Sequence, residues 1–557
     1  MSRKNTTNRV LASAAAISIA SSGLGSFAIA NAQDNEINPP KAEVEYSSTN
    51  GPLARTFPED GTSSLTIHKK VNPDKFGKAD GKGQAQDNTP GDKAGEGYTF
   101  TLTPVATGDQ LTDQTVFNEL AKISQTQDRT VVSRINANEK LKAKDITADA
   151  NGKASYTLKT DKNGEATETG IKNGVYLVQE TESPDDTTSK VHPFLVFLPQ
   201  PDPQAVPKAT AADGDWNSEV HVYPKNGRTN INKTVIDKDK NVGETVKYTL
   251  SATVPASAQN ETLTKFNLRD IFNDKELGEF KVENSVVERK GGAVDQIEVK
   301  QGNATATDES TRGGNTKIEY EVPVEGLKAG DVVKIELSAK LLETREDSEI
   351  INEARTIVHH SGDESEHVTK PVEVRTYVGD IEITKFSDLN NDKKLTDGEE
   401  VLEGAEFELY RTKEEAEARA KNLDGEKPEN AVGHGTTDKE GKIKFEGLHV
   451  NDFADNAEVK DPTGYFLVEV KAPKGFELPS TEENVKEIKL TKAENSTQEG
   501  NALKISQQAE IPNIPEDRFM PELPGTGQSG VYALGLLAFL LLGGAGVYAA
   551  ARNRKTA

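Results

Sequence analysis

Two stretches of this sequence carry groups that could exchange one amide for another. Near the C-terminal end stands Leu523-Pro524-Gly525-Thr526-Gly527, a proline- and glycine-bearing segment suited to enter a protease-like cleft as an unpaired strand. A nucleophilic enzyme cutting such a segment would hold an acyl-enzyme for water or an amine to resolve. The second stretch, Trp216 to Asn226 (WNSEVHVYPKN), offers that amine. Val220 and Val222 alternate with polar residues as in a half-buried strand, and Pro224 ends the strand and presents Lys225. A chain with both an acyl donor and an amine acceptor can be joined head to tail without closing. A third stretch sets Asp388, Asn390, Asp392 and Glu399 at positions 1, 3, 5 and 12 of an EF-hand-like loop, with Lys393 where glycine is usual. Calcium is the ion such a spacing suits, and no cofactor is required. The eight His fall in no HExxH spacing and GxSxG is absent, which argues against a secreted hydrolase.

The termini indicate the compartment in which this chemistry would run. Arg3, Lys4 and Arg9 precede an apolar, small-residue run, and Ala30-Asn31-Ala32 forms an A-x-A cleavage pattern, so residues 1–32 read as a signal peptide. Residues 531–551 are apolar and nearly free of charge, about the ~20 residues a membrane-crossing helix needs. Arg552, Arg554 and Lys555 follow, which places residues 552–557 in the cytoplasm as a basic tail and the long middle outside. Without the six basic residues at the two ends, 61 Lys and Arg face 91 Asp and Glu, a net of −30. That balance excludes nucleic acid as a partner and favours solubility at high local density. The chain has no Cys, so an exported protein of this size must resist unfolding by a device other than disulfides.

The elements that must position these groups are strands. Short alternating runs such as SLTIHKKV, YTFTLTPV, GVYLVQE, VKYTLSATV, VVKIELSAKL, IEITKF, AEFELY and YFLVEV are rich in Thr, Val, Tyr and Phe and punctuated by Gly, Asn and Asp. Helical insertions are expected at Asp113–Ser124 and Thr412–Leu423. An internal repeat is visible: LTIHK, EGYTFTL, TDKNG and YLVQETESP in the first block return as IEITK, EGAEFEL, TDKEG and YFLVEVKAPKGF in the third. The middle block, with INKTV, FNLRDIF and INEARTIV, follows another plan. The fold class expected is all-β: three tandem immunoglobulin-like β-sandwich domains between a signal peptide and a C-terminal membrane span. Their bounds are 62–226, 227–378 and 379–516, after a flexible segment at 33–61. A linker at 517–530 carries the LPGTG.

These motifs resemble those of sortase-assembled major pilins, the shaft subunits of Gram-positive pili. LPGTG followed by an apolar span and a basic tail looks like a sortase sorting signal, and Trp216 to Lys225 resembles the pilin motif WxxxVxVYPK. The first and third blocks resemble CnaB-type domains and the middle block a CnaA-like domain. The resemblance implies a Lys–acid–Asn isopeptide triad in each block: Lys69, Glu180 and Asn226; Lys233, Asp270 and Asn352; Lys385, Glu469 and Asn513. Glu180, Asp270 and Glu469 would be the promoting acids. In the first block Lys70 offers a competing amine, and the E-box reads SP where AP is usual. The implied function is the structural subunit of a covalent homopolymer joined between Thr526 and Lys225, supporting adhesion to host surfaces. The implied partners are further copies of the chain, pilin-specific and housekeeping sortases, tip and base pilins, and peptidoglycan; the implied location is the cell wall and pilus. Such a chain is a sortase substrate rather than an enzyme, its internal cross-links forming once. The other class to weigh is a monomeric wall-anchored adhesin, which has no use for Lys225.

Overall fold

A computed structural model of the chain describes residues 57–72, 93–124, 129–138, 148–201, 216–258, 261–343, 347–425, 429–500 and 502–515. The expected signal peptide, sorting signal and membrane span lie outside the described residues. Among the described residues no helix is long and apolar enough to cross a membrane. The architecture is all-β and multi-domain, with few helices. Its residues group into two compact units, one holding residues 57–237, 243–343 and 350–375, the other 238–242, 347–349 and 376–515.

The first unit opens on the strand Thr62–His68, whose alternating burial turns Leu65 and Ile67 inward. It lies between the parallel strand Glu219–Val222 and the antiparallel strand Glu165–Lys172. A four-stranded sheet faces it, in the order Tyr156–Lys159, Thr99–Thr107, Gly174–Glu182, Phe194–Leu198. Phe194–Leu198 is buried throughout, as a continuous apolar run in a covered strand should be. Between the sheets lies a core that includes Tyr98, Phe100, Val178, Leu195, Val220 and Val222. The first helical insertion appears as Gln114–Ser124; a second helix, Val131–Ala137, was not read from the sequence.

The same unit continues into the middle sandwich, where Ile231–Ile236 pairs antiparallel with Thr245–Thr253 and this with Val332–Leu341. The opposing sheet brings Leu263–Phe272 between Thr316–Glu321 and Glu349–His360. Asn72 stitches the entry to this sandwich. Its amide oxygen accepts the N–H of Arg228 (3.0 Å) and of Ala256 (3.1 Å), and its amide nitrogen donates to the Arg228 carbonyl (2.7 Å).

The second unit repeats the plan of the first block. The long strand Val372–Ser387 runs parallel to Ala502–Asn513, with Lys385 opposite Ile511 and Ser387 opposite Asn513. The facing sheet has the order Gly433–Thr436, Glu406–Tyr410, Tyr465–Lys471, Val485–Ile488, the connectivity seen in the first block. The helix Lys413–Lys421 starts where the sequence places it: the Thr412 side chain caps it by accepting the Glu415 N–H. A core of Ile381, Ile383, Phe407, Leu409, Phe445 and Leu467 fills the sandwich.

Gly227, one residue before the Asn72 stitch, has no room for a side chain: a Cβ would sit 1.9 Å from the Ala256 carbonyl oxygen. Gly227→Ala should therefore destabilise this junction by about 1–3 kcal/mol, a backbone clash with no flexible side chain to yield. Denaturant unfolding of the exported chain measures it; an unchanged midpoint would show that the junction is looser than drawn.

Candidate functional site: three buried lysines

A strand carries its side chains alternately to the two faces, so the end of an inward-alternating run decides what enters the core. In the first block Leu65 and Ile67 are inward and Lys69 comes next on that face. Lys69 is 0% exposed, while Lys70 lies in register opposite Lys225. The inward amine is thus Lys69 rather than Lys70. Its Nζ donates to Glu180 Oε2 (2.7 Å) and Asn226 Oδ1 (2.5 Å). The Asn226 amide nitrogen faces the carboxyl, at 2.7 and 2.9 Å from its two oxygens. Asn226 Oδ1 also accepts the Val191 backbone N–H at 2.8 Å. Tyr98 and Phe100 wall the amine, with ring centres 4.5 and 5.3 Å from Nζ.

The third block repeats this geometry. Lys385 Nζ donates to Glu469 Oε2 (2.8 Å), to Asn513 Oδ1 (2.7 Å) and to the Pro512 carbonyl (3.1 Å). The Asn513 amide nitrogen donates to Glu469 Oε1 (2.9 Å), and the Phe407 ring centre stands 5.6 Å from the amine. The two strands that carry Lys385 and Asn513 are the parallel first and last strands of the sandwich, and the two side chains meet diagonally, two residues apart in register. Asn484 adds a contact that has no signature in the sequence. Its amide oxygen accepts the Glu469 N–H (3.0 Å) and its amide nitrogen donates to the Glu469 carbonyl (2.9 Å). Backbone pairing on that side ends at Val468 opposite Val485, and the Asn484 side chain extends it by one residue.

In the middle block Lys233 donates to Asp270 Oδ1 at 2.6 Å, both side chains being fully buried. Tyr248 walls this amine, 4.9 Å from ring centre to Nζ. Asn352 is buried in the neighbouring strand, opposite Phe272 and so diagonal to Asp270. It lies close enough to act on the Asp270 carboxyl and the Tyr248 hydroxyl. Neither of its amide atoms nor Asp270 Oδ2 completes a well-aligned hydrogen bond. The acid and the amine are paired here, and the amide stands beside them without the aligned hydrogen bonds seen in the other two blocks.

Burial sets the protonation of these groups. Desolvation pulls the Lys69 and Lys385 amines down to about 8, against the opposing pull of Glu180 and Glu469. Lys233 is lowered for the same reason, and Asp270 and Glu469 are raised because a carboxylate too is penalised out of water. A neutral amine is a nucleophile and a neutral carboxylic acid a proton donor. Each cluster therefore holds the parts of an amide exchange: an amine, a carboxyl to relay a proton and a carboxamide.

Lys225 lies on the other side of the same strand end. Val220, Val222 and Pro224 are buried, and the partly exposed face carries His221, Tyr223 and Lys225. His68 stacks on Tyr223, 4.6 Å between ring centres, and its Nε2 is 2.9 Å from His221 Nδ1. Trp216 meets Phe57 edge-on at 5.2 Å. Lys225 and Asn226 are neighbours in sequence that serve opposite faces.

The EF-hand-like loop does not gather its acids. Among the described residues no three His, Cys, Asp or Glu side chains converge as a metal-holding group. Asp388 accepts the N–H groups of Asn391 and Lys393, Asp392 that of Lys394, and Glu399 those of Leu389 and Thr396. Asn390 accepts the Asp392 N–H. Lys393 takes a φ of 61°, the left-handed conformation for which such loops use glycine. The four residues cap their own turn.

Comparison with known proteins agrees with this geometry. Residues 60–227 match the model of the Gram-positive pilin subunit D1, N-terminal domain, and residues 387–502 that of a prealbumin-like fold domain. The chain is 28% identical over 426 residues to fimbrial subunit type 2 of Actinomyces naeslundii, covering 71% of this chain and 73% of that one. It is 26% identical over 553 residues to fimbrial subunit type 1 of Actinomyces viscosus, covering 90% and 93%. Among solved structures, the full-length major pilin SpaD from Corynebacterium diphtheriae aligns with a TM-score of 0.56 and 28% identity, over 82% of this chain and 98% of that one.

The lowered amine makes a pH test available. In Asn513→Ala, Lys385 keeps its buried place without its amide neighbour. Between pH 8 and the unfolded lysine value of about 10.4, the unfolded chain holds a proton that the folded chain has released. Stability of the third sandwich should then rise with pH through that window, relative to the same variant carrying Lys385→Met. Denaturant unfolding at stepped pH reads the difference; a flat or falling difference would mean that the folded amine stays protonated.

Proposed function

Taking as premise that this chain is a pilin of the Gram-positive major type, we propose that it is the repeating shaft subunit of a covalent pilus. A sortase joins Thr526 of one copy to Lys225 of the next, and internal Lys–Asn amides stiffen each copy. The observation that carries the proposal is the pair Lys225–Asn226. One residue faces outward at the end of a pilin-type domain, and the next turns inward to an amine 2.5 Å away.

The internal step is an amide exchange within each cluster. The neutral lysine amine adds to the asparagine Cγ, the neighbouring carboxyl passes a proton to the amide nitrogen and takes up the one that the lysine nitrogen sheds, the Cγ–Nδ2 bond breaks, and ammonia leaves. In the first and third domains the carboxyl already faces the amide nitrogen, which is the group that departs. The three domains proposed span 62–226, 227–378 and 379–516, and the cross-links are Lys69–Asn226, Lys233–Asn352 and Lys385–Asn513.

The external step uses the sorting signal at Leu523 to Gly527. A sortase cysteine attacks the Thr526 carbonyl, the Thr526–Gly527 amide breaks and the segment from Gly527 onward leaves as a protonated amine; the Lys225 amine of another copy then displaces the thiolate from the thioester and loses a proton, forming the inter-subunit amide. The membrane span would hold the substrate near the enzyme and raise its effective concentration. Further copies, tip and base pilins, and finally peptidoglycan are the partners, with the pilus displayed at the cell surface.

Lys225→Arg keeps the charge but offers a guanidinium that does not deprotonate near neutral pH. It should abolish the high-mass ladder of wall extracts on a denaturing gel while export and folding persist. A normal ladder would assign the junction to another lysine, and a single band from the wild type would favour the monomeric adhesin. Intact mass of the exported chain should lack one ammonia per cross-link. Glu469→Ala, Asp270→Ala and Glu180→Ala should each restore one. By analogy with disulfides closing long loops, each should cost its own domain roughly 3–5 kcal/mol. A wild-type mass equal to the plain sequence would overturn the internal bonds.

A further inference from the structure

We infer that the backbone N–H of Val191 is a catalytic group of the first cross-link, the donor that holds the oxyanion formed at Asn226 Oδ1. The inference rests on the proposal that Lys69 and Asn226 become joined, and it names a group that no side-chain pattern could supply. Asn226 Oδ1 has two donors in this structure, Lys69 Nζ at 2.5 Å and Val191 N at 2.8 Å. Glu180 is not a third, because both its carboxyl oxygens face the amide nitrogen.

The two donors differ in what happens to them during the reaction. As the Nζ lone pair bonds to Cγ, the carbonyl π electrons move onto Oδ1, and the proton shed by Nζ goes to the Glu180 carboxyl. The attacking nitrogen can no longer donate to the oxygen of the carbon it has joined. Oδ1 therefore gains charge while losing one of its two hydrogen bonds. The Val191 N–H stays. When Glu180 passes the proton to Nδ2, ammonia departs with the former C–N electron pair, the C=O bond re-forms, and the products are one amide and one ammonia. Asn226 is 2% exposed, so water does not compete for Oδ1, and a fixed dipole counts for more there than in solvent.

The position of this N–H follows from strand pairing. Thr187–Ser189 runs antiparallel to Lys225–Arg228, with Ser189 opposite Gly227. The chain continues past that pair, and Val191 packs its side chain on the first core while its N–H meets the Asn226 side chain. In the third domain the donor to Asn513 Oδ1 is Lys385, and Val191 is far off in the chain. That cross-link therefore serves as an internal control.

The test follows cross-link formation during cell-free synthesis of the full exported chain, read as the mass of each cross-linked peptide over time. Replacing Val191 by its α-hydroxy acid exchanges the N–H for an ester oxygen and leaves the side chain. The first cross-link should then form about 100- to 1000-fold more slowly, with the third unchanged. Val191→Ala, which keeps the N–H and loses packing, should stay within about threefold of wild type. An ester analogue that cross-links as fast as wild type would overturn the inference. So would an alanine variant slowed as much as the ester, since packing would then be the cause. If the wild-type first domain forms no Lys69–Asn226 peptide at all, the proposed bond itself falls and this role with it.

Discussion

Everything distinctive in this molecule depends on a charged group having been put where water is not. A lysine ammonium inside a β-sandwich loses its hydration, and no strand hydrogen bond compensates a bare cation. Three lysines stand in that position here, each beside one carboxyl and walled by at least one aromatic ring. The acid offsets part of the desolvation, and burial lowers the affinity of the amine for its proton. The same two effects that make such a pair a poor source of stability make it a good pair of reactants. An interior that would otherwise carry an energetic liability becomes a place where an amine and an acid exchange a proton readily.

The register of the strands turns that pair into a site. In the first and third blocks the first and last strands run parallel and adjacent, so a lysine near the end of one meets an asparagine near the end of the other diagonally, on the same face and two residues along in register. A bond at this point would tie the two ends of the domain together. Tension along a pilus enters at one end of a domain and leaves at the other, so the bond would lie on the load path. Strand hydrogen bonds each contribute only ~0.5–1.5 kcal/mol net. In a chain without a cysteine, the covalent alternative has to come from side chains such as these.

Strand alternation also lets one short stretch serve the two chemistries proposed for it. From Val220 to Asn226 the inward positions fill the core and end on the amide, while the partly exposed positions run His221, Tyr223, Lys225. The proposed inter-subunit and intra-domain reactions would thereby be separated by the sheet itself. The Lys225 amine and the Lys69 amine, both close to Asn226 in the fold, are kept from each other's partners.

Local rules made much of this legible from residues alone. Alternation marked the strands, Thr412 marked a helix start, and the recurrence of four short segments marked two blocks of one plan. Resemblance to CnaB-type domains, carried by those segments, also singled out Lys69, Glu180 and Asn226, and Lys385, Glu469 and Asn513. Tertiary structure alone decided the rest. Which of Lys69 and Lys70 turns inward depends on the phase of the strand against the core. Whether Asn352 aligns with Asp270 depends on a diagonal across two strands, and there the amide lacks the hydrogen bonds that the other two amides make. The acids of the loop at Asp388 looked like metal ligands because spacing cannot say whether a carboxylate faces an ion or the N–H groups of its own turn. The Val191 N–H and the Asn484 bracket around Glu469 had no signature to find. A backbone donor has no residue type, and an asparagine that replaces one strand pair is recognisable only once the strand beside it has ended.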